Sequence, residues 1–131
     1  MTLDEAFPAV DPGVIPLGAR ILVQVKTVKT TSASGIILVD ETTDTEKWNT
    51  QVCKLIKLGP LAFKNRETGK EWVEGAWATE GDYIRVPRWC GDRWSVPIAG
   101  TKDAAHFVIF NDHEVIGKIT SDPLTMSTYI L

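Results

Sequence analysis

Few residues in this chain have side chains suited to chemistry, and their spacing argues against most of it. His106 and His113 stand seven positions apart, and the two cysteines are Cys53 and Cys90. Together they could supply nitrogen and sulfur ligands for zinc, or a thiolate–imidazole pair for nucleophilic attack. Neither spacing matches a known ligand set, so both histidines read as ordinary turn residues and both cysteines as reduced thiols. Asp40, Glu41, Asp44 and Glu46 gather carboxylates that might attract calcium. The glycine and fixed oxygens of a calcium loop are missing, which leaves a solvated acidic face. No phosphate-binding loop, dinucleotide glycine pattern or nucleophile elbow occurs. The expectation is a protein without catalytic residues, metal or cofactor. Trp72, Trp77, Trp89 and Trp94 fall in or beside loops. They allow a rival reading, a ligand- or carbohydrate-binding β-module, against the plainer one that aromatics pack beneath long loops.

Composition bounds the partners. With 131 residues the chain suits one domain with an ordinary core. A net charge of −3 and no cluster of Lys or Arg give no basic face for a phosphate backbone, so nucleic acid is not an expected partner. No apolar run approaches the roughly 20 residues of a membrane helix. The start, Met1-Thr2-Leu3-Asp4-Glu5, is acidic and lacks the features of a signal peptide, which makes a cytoplasmic location the expectation.

The elements that would position any site read as strands. Residues 1–13 form an irregular leader punctuated by Pro8, Pro12 and Gly13. Val14-Ile15-Pro16-Leu17-Gly18 is apolar but carries a proline that cannot donate to a central ladder, which suits an edge strand. Residues 20–28 alternate Ile21, Val23 and Val25 against Arg20, Gln24 and Lys26, the period of a half-buried strand. A second strand is predicted over 51–58, stopped by Gly59-Pro60. Residues 61–81 form a hairpin-like excursion with Phe63, Trp72 and Trp77 among polar residues. Further strands are predicted at 82–87, 94–98, 107–110 and 114–119. Residues 88–94 and 111–112 form turns between them, 100–105 is a loop, and 121–131 is a tail. No helical period appears. Many short strands with regular turns predict an all-β fold, a small barrel or sandwich.

Residues 29–50 break this pattern. Thr, Ser, Asp, Glu and Lys surround one aliphatic patch, Gly35-Ile36-Ile37-Leu38-Val39. The patch could be a buried core strand, but its flanks are too polar for that, and Gly35 lets the backbone turn just before it. A stretch this long without structure inside a domain tends to be functional or disordered. The alternative is a linear motif that orders when an apolar groove receives it. Asp40, Glu41, Asp44 and Glu46 would then guard an aggregation-prone run.

The run Val14-Ile15-Pro16-Leu17-Gly18-Ala19-Arg20-Ile21-Leu22-Val23 resembles the first strand of the GroES-type co-chaperonins. The likeness continues through Lys26, Val28, Thr30, Ser32 and Ala33 into Gly35-Ile36-Ile37-Leu38, which looks like the family's mobile-loop motif. Residues 52–59, Gly81-Asp82-Tyr83-Ile84 and residues 107–119 resemble later parts of the family. The similarity spans roughly residues 14–120.

This resemblance implies a GroES-like β-barrel over 14–120, with a mobile loop at about 29–50 and a roof-like excursion at about 61–81. It implies a ring, heptameric in the family, that forms a lid on a GroEL-type chaperonin and encloses an unfolded substrate protein. ATP or ADP would be bound by that partner. Gly35, Ile36, Ile37, Leu38 and Val39 would bind the chaperonin. Val14, Ile15 and Leu17 of one subunit would pair with the region of Val115, Ile116 and Ile119 in its neighbour. An edge strand at Pro16 fits this, since an unpaired edge invites another chain. The acidic second half of the loop, the aromatic excursion, the segment Pro87-Arg88-Trp89-Cys90-Gly91-Asp92-Arg93-Trp94 and the two terminal extensions depart from the cellular pattern. These departures look like those of a bacteriophage-encoded member serving its own large substrate in the host cytoplasm.

Overall fold

The structure is a computed structural model that describes residues 3–26, 52–87, 91–100 and 104–124. The predicted loop patch, Gly35 to Val39, lies outside the described residues, as do Trp48, Trp89 and Cys90. Six strands form one antiparallel sheet: β1 (Arg20–Val25), β2 (Val52–Leu58), β3 (Tyr83–Arg85), β4 (Asp92–Pro97), β5 (Ala104–Asn111) and β6 (Gly117–Lys118). Their order is β4-β5-β1-β2-β3-β6. The all-β class read from the sequence is therefore the observed one, and among the described residues no helix is long and apolar enough to cross a membrane.

The core follows from alternation along the central strands. Ile21, Val23 and Val25 of β1 point to one face, where they meet Cys53, Leu55, Ile84, Val86, Val108 and Phe110. A bulge in the β1–β2 ladder shifts the pairing from Leu22↔Lys57 to Val23↔Leu55. It lets Leu55 and Leu58 reach the same core despite their odd spacing. The strand stops at Gly59, whose N–H donates to the Arg20 carbonyl at 2.9 Å. A Cβ there would lie 2.5 Å from the Gly18 carbonyl oxygen and 2.6 Å from that of Arg20, so only glycine fits.

The alternation predicts β1 as half-buried, yet β1 is buried on both faces. Leu22 packs on the opposite side with Ala105 and Phe107, flanked by Val10, Ile56, Trp94 and Val96. Gln24 is only 2% exposed, because its amide donates to the Pro8 carbonyl at 2.8 Å. The covering layer is the leader. It begins with a one-turn helix, α1 (Leu3–Ala6), and runs across the outer face of the sheet. Trp94 fixes its far end by donating its indole N–H to the Pro12 carbonyl at 2.9 Å. The reading of residues 1–13 as an irregular leader thus missed both the helix and the packing.

Three more boundaries differ from the sequence reading. β4 starts at Asp92, inside the expected turn 88–94, because Asp92 and Arg93 pair with Ile109 and Val108 of β5. β5 starts at Ala104, inside the expected loop, because pairing with β4 from Pro97↔Ala104 onward gives Ala104, Ala105 and His106 ladder partners. The last strand shrinks to two residues: β3 pairs only with Gly117 and Lys118, and the expected start, Glu114, lies in a 3-10 turn. Residues 61–81 form turns around a single bridge, Lys64↔Glu71. Phe63 begins this excursion with φ 58°, a left-handed conformation uncommon for a bulky residue. Its N–H donates to the buried carboxylate of Asp112 at 2.8 Å. Phe63, Trp72 and Trp77 pack edge to face or tilted, with ring centroids 4.8–6.0 Å apart.

Candidate functional site

The exposed apolar surface is concentrated at one pair of segments. Residues 14–17 carry no regular secondary structure and have no ladder partner among the described residues. Val14, Ile15 and Leu17 are 43%, 65% and 68% exposed, whereas Pro16 between them is buried. Gly18 and Ala19 then turn the chain into β1, with the Arg20 N–H donating to the Leu17 carbonyl at 3.2 Å. The proline keeps this segment out of the sheet interior, since it brings no N–H of its own to a ladder.

The second segment is the edge at β6. Its only ladder among the described residues is with β3, so its other side is open. Ile116 precedes it, 62% exposed, held by donation of its N–H to the Arg85 carbonyl at 3.0 Å. Val115 and Ile119 face the other way. Both are 8% exposed and belong to the protomer's own clusters, Val115 with the main core and Ile119 with Val52. Of the six residues expected at an interface, four are thus exposed and two support the segment from beneath. A cavity of about 330 Å³ lies alongside, lined by Glu74, Trp77, Val115, Ile116, Gly117 and Lys118. A larger one of about 430 Å³ opens under Val14 and Ile15, floored by Leu22, Ile56 and Lys57.

Charge near the edge is paired locally. Lys118 Nζ sits 3.3 Å from Asp82 Oδ2. The same oxygen accepts the Thr79 N–H at 2.9 Å. That backbone bond first, then Lys118, holds the Asp82 carboxyl below its ordinary value of 3.8.

The ends of the segment joining β1 to β2 are also on view. Lys26 N–H donates to the Val52 carbonyl at 3.1 Å, closing the pair. Ala6 and Phe7 of the leader bury Val52 together with Ile119, and Tyr83 and Leu124 pack against that group. Phe7 lies 5.2 Å from Tyr83 between ring centroids. The Lys26 ammonium donates to the Leu124 carbonyl at 3.1 Å. Sequence reasoning missed this cluster. The adjacent Ala6-Phe7 pair, apolar inside an acidic leader, was the available signal.

The groups considered for chemistry do not converge. His106 is buried on β5, 2.7 Å from the Ser95 hydroxyl through Nδ1. His113 is exposed beside Asp112, and Cys53 is buried in the main core. Among the described residues, no group of three or more His, Cys, Asp or Glu is placed to hold a metal ion. The tryptophans spend their faces on packing: Trp72 and Trp77 on each other and Phe63, and Trp94 stacked on Phe107 at 5.9 Å.

The family described as chaperonin 10 Kd subunit matches residues 13–119. No curated protein matches the chain.

Proposed function

The chain belongs to the chaperonin 10 Kd subunit family, and on that premise we propose that it is a co-chaperonin that assembles into a ring and caps an ATP-driven, GroEL-type chaperonin around a folding substrate. The observation that carries the ring is the unpaired apolar segment 14–17 in a chain that also has an open edge at β6. A strand added to that edge from a second copy would satisfy both. Head-to-tail repetition of one such contact closes a ring, seven-membered in this proposal. Val14, Ile15 and Leu17 then meet Ile116, with Val115 and Ile119 backing it from the core.

Docking falls to Gly35, Ile36, Ile37, Leu38 and Val39. Burying one large aliphatic side chain gives roughly 1.5–3 kcal/mol. Fixing each backbone residue costs roughly 1–2 kcal/mol. A single loop therefore binds weakly, and a ring of identical loops gains roughly 10²–10⁴ by sharing one encounter. Weak individual contacts also release together when the partner's groove changes. Nucleotide hydrolysis belongs to the partner, so this chain needs no catalytic group of its own. The packing of Trp72, Trp77 and Trp94 speaks against the rival carbohydrate-binding reading, which needs open ring faces.

The test is capture of the purified protein by a bacterial chaperonin with and without ATP. The comparison is an Ile36→Ser/Ile37→Ser/Leu38→Ser variant, with sedimentation of Ile15→Asp and Ile116→Asp alongside. Nucleotide-dependent capture that the triple variant loses, and rings that the two charge variants dissolve, are expected. A well-folded wild-type protein that sediments as a monomer and is never captured would overturn the proposal.

A further inference from the structure

The apolar segment 14–17 is preceded by a turn that a residue of β4 holds. Asp11 Oδ1 accepts the Gly13 N–H at 2.9 Å, and Gly13 sits at φ 77°, so the leader bends sharply just before Val14. The carbonyl in the middle of that bend, on Pro12, is the one that accepts the Trp94 indole N–H at 2.9 Å. Trp94 is itself fixed, because its ring stacks on Phe107 at 5.9 Å and 26° within the outer cluster. At the far end, the Gly18 carbonyl accepts the Leu61 N–H at 2.9 Å and Arg20 donates to Leu17. Between these two anchors the backbone of Val14, Ile15 and Pro16 makes no hydrogen bond among the described residues. The turn also supplies one wall of the cavity of about 430 Å³ beneath Val14 and Ile15. A stretch placed at both ends, with its own backbone groups unused, is suited to pairing with a second chain.

We propose that Trp94 is a positioning residue for ring assembly: by holding Pro12 it presents residues 14–17 to the β6 edge of the next subunit before contact is made. This rests on the ring reading above, which leaves Trp94 without a part. The physical reason is preorganisation. Among the described residues, the indole bond is the one hydrogen bond that ties the turn at 11–13 to the sheet. Removing one neutral hydrogen bond shifts such a local equilibrium by roughly three- to tenfold. Each contact weakens with the fraction of time that the segment is out of place, so that factor is its upper bound. A closed ring makes as many contacts as it has subunits. For seven, the concentration at half-assembly then moves by roughly two- to fifteenfold.

The experiment uses the full chain with Trp94→Phe, which keeps a ring against Phe107 and removes the N–H. Val96→Ala is the control, since it thins the same outer cluster without touching Pro12. Three quantities are read: the half-assembly concentration by sedimentation, elastase cleavage after Val14 at a dilution where the chain is monomeric, and urea stability at that dilution. Trp94→Phe is expected to raise the half-assembly concentration by roughly two- to fifteenfold and to speed the cleavage by roughly three- to tenfold. Val96→Ala should lose urea stability and leave the other two quantities unchanged. A half-assembly concentration in Trp94→Phe within about twofold of wild type overturns the proposal. An equal shift in Val96→Ala overturns it as well, since assembly would then follow global stability. So does unchanged cleavage after Val14, because the turn would hold without the indole. A wild-type chain that is monomeric at every concentration refutes the ring reading and the assembly role together, while the cleavage ratio still decides whether Trp94 holds the segment.

Discussion

Asp112→Ala should detach the aromatic excursion from the barrel, and the loss can be worked from two hydrogen bonds and one strained backbone conformation. The carboxylate is 4% exposed and accepts the Phe63 N–H at 2.8 Å in a buried setting. Removing it leaves that donor unsatisfied, which costs about 1–3 kcal/mol. Phe63 already holds a left-handed backbone, an inherent cost of about 1–2 kcal/mol that only a firm partner sustains. The second bond, from the His113 N–H at 2.8 Å, adds little, because His113 is open to water and its donor can be hydrated. A loss of about 2–3 kcal/mol follows, or a fall in melting temperature of about 8–12 °C for a chain of this size. Thermal and urea unfolding read by tryptophan fluorescence would measure it, at one protein concentration because assembly itself stabilises. Asp112→Asn keeps one acceptor oxygen and should lose about half as much. A loss below about 0.5 kcal/mol for Asp112→Ala, the level of an ordinary surface change, would refute the reasoning.

Two further perturbations test the frame around the exposed edge. Asp82 titrates below its ordinary value of 3.8 in the folded chain, so its contribution to stability is full above that value and disappears as pH falls through the lowered one. The stability gap between wild type and Asp82→Asn should therefore be present at neutral pH and close in acid. A gap that is constant with pH would show that the charge is not involved. Gly59→Ala places a methyl group against two backbone oxygens that cannot swing aside, and should cost about 1–3 kcal/mol by urea unfolding. A neutral result would mean that the turn from Gly18 to Arg20 is not rigid.

The strands were legible where one face is apolar and the other polar. Ile21, Val23 and Val25 announce β1 through that alternation, and Gly59-Pro60 announces the end of β2 through its punctuation. The second buried face of β1 was hidden because its marker, Gln24, is polar and becomes buried only by satisfying itself on the Pro8 carbonyl. The early start of β5 was hidden because Ala104, Ala105 and His106 carry no strand signal of their own and take their conformation from β4. At the edge, the resemblance located the stretch around Ile116 without separating its two faces. Period-two alternation in fact puts Val115 and Ile119 on one face and Ile116 on the other, and the structure buries the first two and exposes the third; grouping all three at an interface set that alternation aside. The leader's role was illegible for a different reason: Phe7 finds its partners, Tyr83, Ile119 and Leu124, only after the whole sheet has formed.

The convergence of Phe7 and Leu124 on Val52 has a practical side. An affinity tag or fluorophore fused near either of these residues would sit beside the bonded pair Lys26 and Val52, where bulk would disturb the packing that joins β1 to β2. The excursion offers a better attachment point. Val73, just after the bridge residue Glu71, is fully exposed, belongs to no core cluster, and lies on a turn rather than in the ladder. A cysteine placed at Val73 would carry a reporter while leaving both the edge and the cluster around Val52 untouched.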